Sequence, residues 1–174
     1  MNIYMIRHGV PNYNYVDEHN FIGHGNDLAE LDEEFIKDVI KTANDERWKK
    51  AELIVSSPYT RALQTAAIIS KSNNLDIVVE PDLREWEPDL TYQYKGAEMR
   101  EIYKDYYACN GVKPIDRNVN WESKEELRNR IEKVINKYKT KNKCVIFVFH
   151  QTAMQSVLGD KKIEPAEIVE YNAD

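Results

Sequence analysis

The sequence predicts an α/β fold: a three-layer sandwich in which a mainly parallel central sheet carries helices on both faces. Three observations lead there. Short apolar runs alternate along the 174 residues with longer segments of helical character, the pattern of a parallel sheet built from strand–helix–strand units. Two of those runs, Ile3-Tyr4-Met5-Ile6 and Cys144-Val145-Ile146-Phe147-Val148-Phe149, read as buried strands. Each is followed by a histidine, His8 and His150, and in open α/β sheets ligands bind outside the carboxyl ends of the strands.

Residues 2–7 form the first expected strand, bounded by Gly9 and Pro11. Residues 10–29 are polar and contain Gly23 and Gly25, so an ordered loop is expected there. Residues 30–48 predict one helix, with Leu31, Phe35, Ile36, Val39, Ile40 and Ala43 as its apolar stripe. Leu53-Ile54-Val55 is a second strand. Ser57-Pro58 then opens a helix to about Lys71, because serine caps helices well and proline suits the first turn. Ile77-Val78-Val79 is a third strand, closed by Pro81. Helices are expected over 95–107 and 122–139, the second capped by Ser123 with Glu126 three residues on. The strong strand at 144–149 precedes a helix from Thr152 to Leu158 that stops at Gly159. Ile168–Tyr171 reads as a last, edge strand. No repeat or linker interrupts the chain, and a single domain over 1–174 is expected.

Composition narrows the function. The net charge is −6, with acids and bases interleaved, which argues against nucleic acid or a membrane surface as partner. The longest apolar run falls far short of the ~20 residues that span a bilayer, and no basic segment followed by an apolar stretch opens the chain. Two cysteines, Cys109 and Cys144, lie on unlike segments and make neither a disulfide framework nor a metal site. A cytoplasmic setting is the expectation; oligomeric state is not encoded in any feature of the sequence.

The residues that could carry chemistry cluster at the expected strand ends. His8 ends a buried strand, and imidazole is a competent nucleophile toward phosphorus when held in one tautomer. Arg7 beside it would supply donors to phosphate oxygens, and Gly9 would let the backbone turn away and a ligand approach closely. A histidine satisfied by core contacts is the competing reading. Arg61, in the first turn of a helix that follows a strand, would sit where helix N–H groups attract anions; an ordinary exposed arginine is the alternative. After the third strand come Asp82, Glu85 and Glu87, and position does not choose among them. A carboxyl group beside Trp86 and near an anion would have its proton affinity raised, which suits a general acid. Glu87, before Pro88, is expected to turn to solvent. His19 and His24 lack the spacing of metal ligands, so neither metal nor cofactor is expected.

Taken together these residues resemble the histidine phosphatase superfamily, of phosphoglycerate mutase-like fold. Arg7-His8-Gly9 resembles its N-terminal signature, with Asn14 at its asparagine position. Ser57-Pro58-x-x-Arg61-Ala62-x-x-Thr65-Ala66 resembles its second motif, Leu83-x-Glu85 the segment of its acid, and Phe149-His150 the strand end of its second histidine. Trp121-Glu122-Ser123, followed by Arg128, is similar to its late Glu-Ser stretch. The resemblance implies two-step phosphoryl transfer. His8 would become phosphohistidine, while Arg7, Arg61 and His150 hold the phosphoryl oxygens with Asn14 as helper. Glu85 would protonate the leaving oxygen and then activate water. The chain departs from the pattern at Val10, Pro11 and Gln151 and is short for a mutase, which favours a phosphatase. The expected activity is metal-independent hydrolysis of a phosphomonoester, its partner a phosphorylated small molecule. A phosphohistidine or phosphoprotein phosphatase is the enzyme alternative, and a catalytically weak phospho-ligand binder is the alternative of another class.

Overall fold

The computed structural model describes residues 2–171; Met1 and residues 172–174, which the expected domain also spans, lie outside the described residues. The elements in chain order are β1 (Asn2–Arg7), β2 (Pro11–Asn12), α1 (Asn14–Glu18), β3 (Glu30–Leu31), α2 (Ile36–Ala43), β4 (Leu53–Ser56), α3 (Thr60–Asn73), β5 (Ile77–Val79), α4 (Met99–Ala108), α5 (Lys124–Lys139), β6 (Cys144–Phe149), α6 (Gln151–Leu158) and β7 (Ile168–Tyr171). Five strands form one sheet in the order β5-β4-β6-β1-β7. Four are parallel, and β7 pairs antiparallel with β1 at one edge. The three-layer α/β arrangement is therefore present, with β6 at its centre between β4 and β1.

Alternation along these central strands sorts the core into two layers. Ile3, Met5, Val145, Phe147 and Phe149 pack with Leu127, Ile131, Ile135 and Met154 from α5 and α6. Tyr4, Ile6, Ile146 and Val148 pack with Ala43 of α2 and Ala62, Ala66 and Ile69 of α3. A strand covered on both faces must be apolar at every position, and all six residues of β6 are buried. No helix among the described residues is long and apolar enough to cross a membrane.

Four local expectations are corrected. The expected helix over 30–48 is four pieces: β3, a 3₁₀ turn at Glu33–Phe35, α2, and a second 3₁₀ turn at Glu46–Lys50. Asp32 and Asp45 cause the breaks, each accepting a backbone N–H two residues on, from Glu34 and Arg47 (both 3.0 Å), an arrangement that competes with helix. Leu31 pairs with Pro11 instead, and Phe35 and Ile40 are exposed. Second, residues 10–29 are more than loop, holding β2, α1 and a 3₁₀ turn at Gly23–Leu28. Third, the helix after β4 starts at Thr60 with no side-chain cap, and Ser57 is used elsewhere. Fourth, Gly9 is fixed by packing behind it: a Cβ there would lie 2.5 Å from Val39 Cγ2. The Ser123–Glu126 capping box forms as expected.

Candidate active site

The carboxyl ends of β1, β4 and β6 open into a cavity of about 750 Å³. Its floor holds Arg7, His8, Arg61 and Glu85; its walls come from residues 10–29 and from 86–107. His8 is 5% exposed. Its Nδ1 lies 2.6 Å from the Gly9 carbonyl oxygen. A carbonyl only accepts, so Nδ1 carries the proton and Nε2 is left with its lone pair. Arg61 Nε donates to that atom at 3.3 Å. Burial, then the guanidinium of Arg61, pushes the imidazole well below its usual pKa, so the ring is neutral at physiological pH.

Each neighbour is anchored from a different element. Arg7 Nη1 donates to Gln151 Oε1 (2.8 Å) and to the Ile163 carbonyl (2.7 Å), while its Nε is buried without a partner. Gln151, a departure from the family pattern, thus holds Arg7. Arg61 is not the ordinary exposed arginine of the alternative reading: it is 5% exposed, and its Nη1 has no hydrogen bond and lies 3.5 Å from Asp27. Thr65, one turn along α3, accepts the Gly9 N–H (3.1 Å) and donates to the Arg61 carbonyl (2.8 Å), tying β1 to α3.

Glu85 lies beneath the N-terminus of α6. Its carboxylate accepts N–H groups from Trp86 (2.8 Å), Thr152 (3.1 Å) and Ala153 (2.9 Å). Burial raises its pKa above the usual glutamate value, against the pull of those three donors; an arriving phosphoryl group would raise it further, since like charges disfavour ionisation. Glu87 does not turn to solvent. It is fully buried, accepting from Arg84 Nε (2.8 Å) and the Tyr59 hydroxyl (3.3 Å), and it does not line the cavity.

His150 packs edge-on to His8, ring centroids 5.0 Å apart. It is completely buried and does not line the cavity, and the Tyr59 ring also packs against it, centroids 4.9 Å apart. Its Nε2 is 2.7 Å from Ser57 Oγ, the group read from sequence as a helix cap, and its Nδ1 has no partner. Asn14 is not brought to the site. It is exposed at the start of α1, outside the cavity lining, where its N–H donates to Asn12 Oδ1 (2.9 Å). Tyr13 lines the cavity instead, 6.0 Å beneath the Arg61 guanidinium.

Sequence reasoning missed four participants. Asp27 closes the 3₁₀ turn of the 10–29 segment and pairs with His24 (3.0 Å) as well as Arg61; burial raises its pKa. Thr65 stood in the second motif and Gln151 among the departures from the family pattern, but nothing in the sequence gave their partners, the Gly9 N–H and Arg7. Arg130, not Arg128, belongs with Glu122. It makes two bonds to that carboxylate (2.6 and 2.7 Å) and three to the carbonyls of Asp82, Arg84 and Glu85, while Arg128 pairs on the surface with Glu132. The burial stripe of α5 was the available signal, since position 130 falls between Leu127 and Val134. His19 and His24 make local contacts to Tyr15 and Asp27. No group of three or more metal-ligating side chains converges among the described residues.

Comparison with known proteins agrees with this architecture. A family model described as "Histidine phosphatase superfamily (branch 1)" matches residues 3–170. No curated protein matches. Among solved structures, the YhfR protein of Bacillus stearothermophilus superposes with a TM-score of 0.75 at 17% identity, over 99% of this chain and 91% of that one. A mycobacterial glucosyl-3-phosphoglycerate phosphatase gives 0.72 at 17% identity over 97% and 88%. A putative alpha-ribazole-5'-P phosphatase of Escherichia coli gives 0.64 at 20% identity over 95% and 81%.

Proposed function

Because the chain belongs to the histidine phosphatase superfamily, we propose that it hydrolyses a small-molecule phosphomonoester through a phosphohistidine on His8, without a metal ion. The observation that supports this most is the state of His8: a neutral ring with its proton fixed on Nδ1 by Gly9, and Nε2 beside Arg61 on the cavity floor. A nucleophilic imidazole needs that tautomer and that orientation.

Nε2 of His8 attacks phosphorus, and the P–O bond to the leaving group breaks as the N–P bond forms. Arg7 and Arg61 hold the equatorial oxygens, where charge stabilisation supplies most of the catalysis of phosphoryl transfer. His150, buried outside the cavity lining, supports the His8 ring by edge-on packing and does not itself hold the phosphoryl oxygens in this scheme. Glu85 gives its proton to the leaving oxygen, then takes one from water, which attacks the phosphohistidine. Inorganic phosphate leaves and His8 is restored. Asn14, exposed outside the cavity, takes no part in this scheme.

The test is phosphate release from a panel of phosphorylated metabolites and p-nitrophenyl phosphate, with EDTA present throughout. Turnover is expected in the wild type and is expected to vanish in His8→Ala. Activity that survives His8→Ala, or that EDTA removes and one divalent ion restores, would overturn the reading.

A further inference from the structure

The cavity wall beyond the phosphoryl clamp is built of hydrogen-bond acceptors. Asp27 stands 3.5 Å from the buried, unpartnered Nη1 of Arg61 and offsets part of its charge. Asn26 uses its Nδ2 on the Gly23 carbonyl (3.0 Å). That leaves Asn26 Oδ1 turned toward Gly96, where a Cβ would lie 3.3 Å from it and 3.3 Å from Asp17 Oδ1. Asp17 has no side-chain hydrogen bond among the described residues, and all three acceptors line the cavity. The cations there are Arg7, Arg61 and Lys95. A phosphoryl dianion engages the first two, and Lys95 is exposed at the rim. A second anion would meet the largely buried Asp27 with no buried cation left to pair it, a juxtaposition that is unfavourable where water is excluded, and Asp17, exposed, would add to the repulsion more weakly. Hydroxyl or ammonium groups would find acceptors, with aromatic faces at Phe21 and Tyr94 for their C–H or cationic parts.

We propose that this acceptor wall, with Asp27 as its specificity-determining residue, selects phosphomonoesters whose leaving group carries neutral or cationic hydrogen-bond donors and rejects those bearing a second anionic group. The proposal rests on the phosphomonoesterase reading above and goes beyond it in naming the substrate class. Rejection of one partner by unpaired like charge is a source of specificity separate from attraction of another.

Glycerol 3-phosphate and 3-phosphoglycerate form the matched pair for a test, differing by a hydroxymethyl group in place of a carboxylate; O-phosphoethanolamine supplies the cation. For the wild type, kcat/KM for glycerol 3-phosphate is expected to exceed that for 3-phosphoglycerate by about tenfold or more. O-phosphoethanolamine should equal or exceed the glycerol ester. Asp27→Asn acts on Arg61 as well, so the ratio within the pair is the readout: it should shrink several-fold whatever happens to both rates. Asp17→Asn, at an exposed position, should shrink it less and keeps the test open if the Asp27 variant folds poorly. Hydrolysis of p-nitrophenyl phosphate with a wild-type ratio near one, or a ratio unmoved by Asp27→Asn, would overturn this inference alone. Failure to hydrolyse any of the four esters would overturn the phosphatase reading and this inference with it.

Discussion

The floor and the walls of the cavity are built by different means. On the floor, His8, Arg7, Arg61 and Glu85 stand at the ends of buried strands or against a helix N-terminus, each fixed by backbone or side-chain hydrogen bonds. The wall around residues 10–29 is a two-residue strand pair, one short helix and a 3₁₀ turn, and the wall from 86–107 is an irregular stretch and a 3₁₀ turn leading into α4. Asn20 and Tyr92 there adopt left-handed backbone (φ 51° and 58°), and the segments 10–29 and 86–98 are joined by the Gly23 N–H to the Tyr94 carbonyl (2.8 Å). A rigid floor suits chemistry common to all esters; a wall of short irregular pieces can change without disturbing the sheet. Substitutions in the floor should therefore act on turnover, those of the nucleophile and the arginine clamp alike for every substrate and those of the acid according to the leaving group, whereas substitutions in the wall should act on KM and on substrate choice.

The largest expected effect tests the support under the floor. Arg130 pins the carbonyls of residues 82, 84 and 85 and is paired with buried Glu122. Arg130→Met should cost about 3–5 kcal/mol of stability, the usual consequence of stranding one partner of a buried pair. Denaturant unfolding measures this, and a loss under 1 kcal/mol would show that the acid's loop holds itself.

Arg61→Ala should reduce kcat/KM by about 10²–10³, roughly 3–4 kcal/mol, for every ester. The loss should be independent of leaving group, as expected of a clamp on the transferred group. Because Arg61 is buried and pairs with Asp27, some loss of melting temperature should accompany it.

Glu85→Gln should slow alkyl phosphates by about 10² or more while sparing p-nitrophenyl phosphate, whose leaving group needs little protonation. The pH profile sharpens this. A raised carboxyl pKa keeps the acid protonated to higher pH, so alkyl ester kcat/KM should fall as pH rises through that value. His8 and His150 have lowered pKa values, so acid inactivation by imidazole protonation should set in only well below pH ~6.5. Glu85→Gln should abolish the alkaline fall; an unchanged profile would remove Glu85 from the proton transfer.

In the wall, Gly23 has φ +50° and a Cβ there would lie 2.2 Å from the Tyr92 carbonyl oxygen. Gly23→Ala should cost about 1–3 kcal/mol through backbone strain and raise KM more than it lowers kcat. An equal fall in kcat for all esters would erase the distinction between wall and floor. Arg128→Ala should change stability by under about 0.5 kcal/mol, as exposed helix pairs do. Arg128 and Arg130 stand two positions apart on one helix, so equal effects would contradict the assignment of the buried pair.

These regions also differ in how far the sequence discloses them. The strands β1, β4 and β6 show as apolar runs because both faces of the sheet are covered, and the residues that follow them could be placed at one edge before any side chain was seen. The wall has no such period. Its apolar residues, such as Leu31, serve two-residue pairings that look like the start of a helix, and Asp32 and Asp45 stop the helix through side-chain bonds that a periodicity count ignores. Glu87 looked solvated because its compensating partners, Arg84 and Tyr59, include one 28 residues away. Asn14 matched the family pattern in position yet stands outside the cavity, because α1 begins there and leaves it exposed.

The central claim is that His8 carries the phosphoryl group. Rapid mixing with a phosphomonoester, quenching in alkali and mapping of the phosphorylated peptide by mass spectrometry tests it directly. The account predicts one phosphate on His8, stable in base and lost in acid, formed within the first turnover and absent from His8→Ala. Product release with no phosphorylated protein, or phosphate found on any other residue, would contradict it.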